Sequence, residues 1–133
     1  MIRNRKRVLF FAEAVTLAHV ARPLALAESL DARCFDIAMA CASGYHHFFK
    51  GKPWQLIPLQ SIGSQQFLRA LSRGSPVYST QTLRQYVKDD LEIIQKMDPD
   101  VIVGDFRLSL SVSARLVEIP YITITNAYWS PYY

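Results

Sequence analysis

Five uninterrupted apolar residues, Val8-Leu9-Phe10-Phe11-Ala12, constrain this chain most, because a strand with no polar side must be covered on both faces. The pattern that follows supplies one cover. Pro23 suits a first helical turn, where its missing N–H is not needed and its φ is already helical. Ala27 and Leu30, with Leu26 beside them, then form a stripe facing the sheet. Residues 18–23 are expected to form a loop at the carboxyl end of the strand, and that loop carries His19.

The same alternation runs through the rest of the chain. Residues 34–42 and 54–59 read as the second and third strands, the latter weakened by Pro58. A loop over residues 43–53 holds His46 and His47 side by side, and residues 61–76 read as loop around a helical fragment over 65–71. Leu83, Val87, Leu91 and Ile94 fall on one helical face, which predicts a helix over 80–97 capped by Thr80 and stopped by Pro99. Residues 100–105 form a strand ending in the carboxylate of Asp105. Leu108, Val112 and Leu116, at four-residue steps, set a helix over 108–118. Residues 120–124 are a fifth strand, followed by an aromatic tail. Strict alternation of strand and helix predicts an α/β fold: a Rossmann-like parallel sheet of about five strands, in the order 3-2-1-4-5, with helices on both faces. Residues 1–133 are expected to form a single domain.

Half of the 133 residues are hydrophobic, enough for one real core, and the net charge of +4 is modest. Much of that charge lies in Arg3, Arg5, Lys6 and Arg7, read as a solvated tail. No aromatic residues interleave with these charges, which argues against a nucleic-acid partner. If Cys34 and Cys41 flank a strand, their Cα atoms lie about 23 Å apart at roughly 3.3 Å per residue, too far for a disulfide. They read as buried free thiols in a reducing cytoplasm. No His/Cys cluster has metal-ligand spacing, and neither a signal peptide nor a membrane span is evident.

In such sheets ligands bind beyond the carboxyl ends of the strands where the strand order reverses, here between the first and fourth. Adjacent strands are about 4.8 Å apart, so topology alone brings His19 and Asp105 into one crevice. An imidazole backed by a carboxylate is a general-base pair. Other chemistries lack their motifs. The first turn, AEAVTLAHV, has no glycine to admit a pyrophosphate, and there is no G-x-x-x-x-G-K-[ST] loop. The serines at 109, 111 and 113 stand without a nucleophile elbow. A non-catalytic α/β module that binds a small ligand or a partner in the same crevice is the alternative.

The stretch H-V-A-R-P-L-A-L-A-E-S-L from His19 to Leu30 resembles the H-x-x-P-x-L-x-L-A-x-x-L signature in the N-terminal domain of UDP-dependent glycosyltransferases of the two-domain GT-B fold, the family of the glucosyl- and glucuronosyltransferases. Residues 99–106, P-D-V-I-V-G-D-F, are similar to that family's strand ending in the Asp that partners the base. Ala18 stands where a glycine commonly precedes the histidine. The resemblance implies that His19 deprotonates an acceptor hydroxyl with Asp105 orienting it, and that no metal takes part. Glu13, Arg107, Asn126, Tyr128 and Trp129 would line the pocket of a small-molecule or lipid acceptor. The UDP-sugar donor would bind mainly to a C-terminal domain, missing or separately encoded, so that this chain is a truncated domain inactive alone. Apolar surface left uncovered is expected to favour a homo-oligomer.

Overall fold

The apolar run is the central strand of the sheet. The computed structural model describes residues 4–127 and 131–132. In chain order the elements are β1 (Lys6–Ala12), α1 (Ala18–Glu28), β2 (Phe35–Cys41), a 3₁₀ segment (Ser43–Phe49), β3 (Gln55–Pro58), α2 (Ser64–Arg73), α3 (Thr80–Met97), β4 (Val101–Asp105), α4 (Leu110–Leu116) and β5 (Tyr121–Ile124). All pairings are parallel and the strand order is β3-β2-β1-β4-β5. β1 therefore has a neighbour on each side, and Leu9, Phe10, Phe11 and Ala12 are fully buried.

The two faces of β1 feed two cores. Val8, Phe10 and Ala12 pack with Val20 and Ala27 of α1, with Met39 and with Phe49 of the 3₁₀ segment. Leu9 and Phe11 pack with Ile94 and Met97 of α3 and with Leu110 and Ala114 of α4. Burying a side chain of this size stabilises the fold by about 1.5–3 kcal/mol, so β1 fixes both helical layers at once. Gly104 of β4 lets α4 sit close: a Cβ there would lie 2.6 Å from Leu110 Cδ1 and 3.3 Å from the Tyr121 ring.

Several local expectations are corrected. α1 begins at Ala18, one turn before Pro23, which lies inside the helix. His19 is thus a first-turn helical residue and not part of a loop. Pro23 has no N–H to return to the His19 carbonyl. Leu26 is exposed; Val20, Pro23 and Ala27 are buried against the sheet, and Leu24 and Leu30 pack at the edge of that core. The buried face of α3 is Tyr86, Asp90, Ile94 and Met97: it shares Ile94 with the predicted stripe, but Tyr86 and Asp90 are buried where Val87 and Leu91 were expected, and Ser79 rather than Thr80 is the N-cap, its hydroxyl accepting from the Thr82 N–H at 3.0 Å. At α4 the predicted stripe faces outward: Leu108, just ahead of the helix, and Val112 and Leu116 on it are exposed, whereas Leu110, Ser113 and Ala114 are buried. Lys6 and Arg7 belong to β1 and not to a tail; Arg7 donates to Asp36 Oδ2 at 3.0 Å and to the Met97 carbonyl at 2.7 Å. Cys41 is buried and its thiol is pushed up to about 12 by desolvation, but Cys34 is exposed.

Candidate active site

β1 and β4 run side by side, with Ala12 in register with Asp105. The Glu13 N–H donates to the Asp105 carbonyl at 3.1 Å, which ties the two strand ends together. The chain then turns through residues 13–17 into α1, and the first turn of that helix leans back over the end of β4. His19 Nδ1 lies 2.8 Å from Asp105 Oδ1. Both residues are buried. Because Nδ1 is engaged, Nε2 is the ring nitrogen left for another partner.

Two further groups hold this pair. Phe106 follows Asp105 with a left-handed φ of 59°, a conformation that a bulky residue adopts only when its surroundings impose it. Its ring stacks on the His19 imidazole, with centroids 4.7 Å apart and planes at 23°, and Phe67 of α2 meets it edge-on at 5.6 Å. Arg22, one turn along α1 from His19, grips the carboxylate from the side: Nε donates to Oδ2 at 2.8 Å and Nη2 to Oδ1 at 2.7 Å. Its Nη1 donates to Asn126 Oδ1 at 2.6 Å. His19, Arg22, Phe67, Phe106, Tyr121 and Asn126 contribute to the wall of a cavity of about 180 Å³. A larger and more open cleft of about 550 Å³, between α3 and the loop after β3, is lined by Gln60, Ser61, Gln85, Tyr86 and Asp89. Neither His19 nor Asp105 reaches it, so the smaller cavity is the one with chemistry on its wall.

Beneath the crevice lies a second polar cluster. Arg107 is fully buried, with Nε donating to Asp90 Oδ1 at 3.0 Å, Nη1 to the Gln60 carbonyl at 2.7 Å, and its guanidinium over the Tyr86 ring at 3.7 Å. Ser109 and Ser113 both donate to Asp90 Oδ2. Glu13 is also fully buried; Tyr78 donates to its Oε2 at 2.9 Å, and Arg107 Nη1 is more distant at 3.4 Å. One guanidinium thus stands between two carboxyl groups and is committed to Asp90. Burial pushes the Glu13 carboxyl above its ordinary value, although Arg107 and nearby hydroxyls pull the other way.

The site can be set against known proteins. No family model matches the chain. A PGL/p-HBAD biosynthesis rhamnosyltransferase of Mycobacterium bovis is 50% identical over 129 residues, spanning 97% of this chain and 28% of the relative. A PGL/p-HBAD biosynthesis glycosyltransferase of Mycobacterium tuberculosis is 46% identical over 98% of this chain and 30% of its own length. An inactive PGL/p-HBAD biosynthesis glycosyltransferase of Mycobacterium bovis is 46% identical over 98% of this chain and 36% of its own. The chain is a homologue of the GT-B glycosyltransferases. It spans about a third of the length of these curated relatives. The fold agrees with glycosyltransferases of known structure. Acinetobacter baumannii MurG superposes with a TM-score of 0.63 at 15% identity, covering 89% of this chain and 33% of that one. The spinosyn forosaminyltransferase SpnP superposes with a TM-score of 0.62 at 19% identity, covering 89% and 30%.

Against that GT-B background, His19 and Asp105 stand together at the reversal of strand order, and Asn126 reaches the same crevice through Arg22. Glu13 and Arg107 lie underneath, fully buried and bonded to other protein groups, although Arg107 edges the smaller cavity. Tyr128 and Trp129 fall outside the described residues. His46 is bonded to the Cys41 carbonyl and His47 packs on Phe48. Among the described residues no group of three His, Cys, Asp or Glu side chains could hold a metal ion, and no helix is long and apolar enough to cross a membrane. Sequence reasoning missed Arg22 and Phe106. A helix starting at Ala18 would have revealed Arg22, since positions three apart share a helical face. No sequence signal marks the left-handed turn at Phe106.

Proposed function

We propose that this chain forms the acceptor side of an inverting glycosyltransferase whose general base is the His19–Asp105 pair. The observation that carries this reading is the 2.8 Å contact between His19 Nδ1 and Asp105 Oδ1 beside a cavity of aromatic and polar lining. With Nδ1–H donated to Asp105, Nε2 takes the proton of an acceptor hydroxyl. The oxygen forms a bond to the anomeric carbon of a nucleotide sugar as the bond to the diphosphate breaks, with inversion at that carbon. The carboxylate then faces the imidazolium. The UDP-sugar is held chiefly by a donor-binding domain, joined to this chain or supplied separately, and the acceptor is a small molecule or lipid that fits an aromatic wall. Association with a second copy belongs to the same reading, as does a cytoplasmic setting for the free thiols Cys34 and Cys41. The identities to rhamnosyl- and glycosyltransferases support sugar transfer over other uses of the crevice.

The test is transfer by the chain together with a donor-binding domain. Replacing the base should lower the rate about 10²–10⁴-fold, so His19→Ala is expected to fall by at least a hundredfold at saturating substrates. A His19→Ala rate within about threefold of the parent rate contradicts the assignment. One relative is described as inactive, which favours a second reading, a binding module that uses this crevice without turnover. Acceptor binding with no transfer under any donor would mark that outcome.

A further inference from the structure

We propose that Arg22 is the positioning residue that keeps His19 able to accept a proton, by supplying the counter-charge that Asp105 requires. The inference rests on the reading of His19 as the acceptor base and adds a requirement to it. The Asp105 side chain is 0% exposed and that of Arg22 31%, so the carboxylate is withdrawn from water while the guanidinium reaches the crevice. A carboxylate so buried stays ionised only when it is paired and hydrogen-bonded. Arg22 meets both needs, occupying Oδ2 through Nε and Oδ1 through Nη2.

The other ionisable groups on neighbouring elements do not supply that charge. Glu13 after β1 and Asp90 on α3 are acidic, and Arg107 after β4 is committed to Asp90 and reaches Glu13. The Tyr121 phenol on β5 is pushed up by burial and stays neutral. That leaves Arg22, and then His19 itself, to balance Asp105.

A proton count follows. Nδ1, Oδ1 and Nη2 form a triangle with sides of 2.8, 2.7 and 2.8 Å; Nη2 can only donate, and with the ring proton placed on Nδ1 both nitrogens donate to the one oxygen. With the guanidinium present, the His19–Asp105 pair holds one proton, on Nδ1, and Nε2 is a bare lone pair. With the guanidinium removed, the buried pair carries an unbalanced negative charge, which a second proton from solvent cancels. That proton makes either an imidazolium facing a carboxylate or a carboxylic acid donating to Nδ1. In both forms Nε2 carries N–H and can accept nothing. Arg22 therefore stands in for a proton, and does so through charge rather than by touching the acceptor.

Ring ¹⁵N NMR of the histidine-labelled chain reads this directly, at about pH 8, above the ordinary histidine range. The parent chain is expected to show His19 protonated on Nδ1 and bare on Nε2. Arg22→Met should show Nε2 protonated, the ratio of bare to protonated Nε2 falling at least about tenfold, the scale of a lost charge-assisted contact. Arg22→Lys, which restores the charge without the fork, should restore the parent pattern. A protonated Nε2 in the parent chain overturns the inference however the variants fold. So does a bare Nε2 in Arg22→Met with a native backbone spectrum, or an Arg22→Lys spectrum that matches Arg22→Met. Loss of transfer in His19→Ala with a bare Nε2 in Arg22→Met would defeat this inference alone; retention of transfer in His19→Ala would defeat the base assignment whatever the ring spectrum shows.

Discussion

At the residue scale, the crevice is built from two ion clusters with different solvation. The His19–Asp105–Arg22 cluster opens onto a cavity, whereas the Glu13–Arg107–Asp90 cluster lies buried below it, with Arg107 at the cavity's edge. The lower cluster holds the strand-end turn that carries Asp105 and Phe106, because Glu13 bonds the Asp105 backbone and Arg107 lies two residues beyond. Burial raises the Glu13 carboxyl from its ordinary 4.5. The folded value is above the unfolded one, so the neutral carboxyl's contribution to stability is complete below the unfolded pKa and is lost as pH rises through the folded value. Glu13→Gln keeps the shape without the charge. Thermal melts between about pH 4.5 and 8 should show the variant gaining on the parent chain as pH rises. A difference between the two that stays constant across that range would contradict a buried, raised Glu13.

At the element scale, strand pattern was legible and helix facing was not. Five apolar runs, with the sign of each connection set by parallel crossover rules, were enough for the order 3-2-1-4-5 and for the meeting of His19 with Asp105. The helices were harder because α3 and α4 bury polar residues: Asp90 and Ser113 occupy the inward faces, hydrogen-bonded to one another, and Asp90 also accepts from Arg107. A stripe of leucines and valines therefore meets the buried face of α3 only at Ile94 and lies on the outer face of α4. Pro23 misplaced the start of α1 for a similar reason, since tertiary packing of Val20 and Ala27 overrides the preference of proline for the first turn. The outward stripe of α4 has a consequence of its own. Leu108, Val112 and Leu116 are 44%, 48% and 64% exposed, an apolar row that water solvates poorly. Sedimentation of the chain at rising concentration should show reversible association that Val112→Asp with Leu116→Asp abolishes; a monomer at every concentration would contradict a role for this face in self-association.

At the scale of the whole molecule, the chain is a GT-B homologue whose His19 and Asp105 meet at the point where strand order reverses, and it spans about a third of its relatives' length. Under the proposed function, His19 and Asp105 act as one unit in sugar transfer. The direct measurement is a double-variant cycle, with transfer rates for His19→Ala, Asp105→Asn and the two combined, each with the donor-binding domain present. If Asp105 acts only through His19, the double variant is as slow as His19→Ala, within about threefold. Losses that multiply, so that the double variant is slower than His19→Ala by the full Asp105→Asn factor, would contradict it.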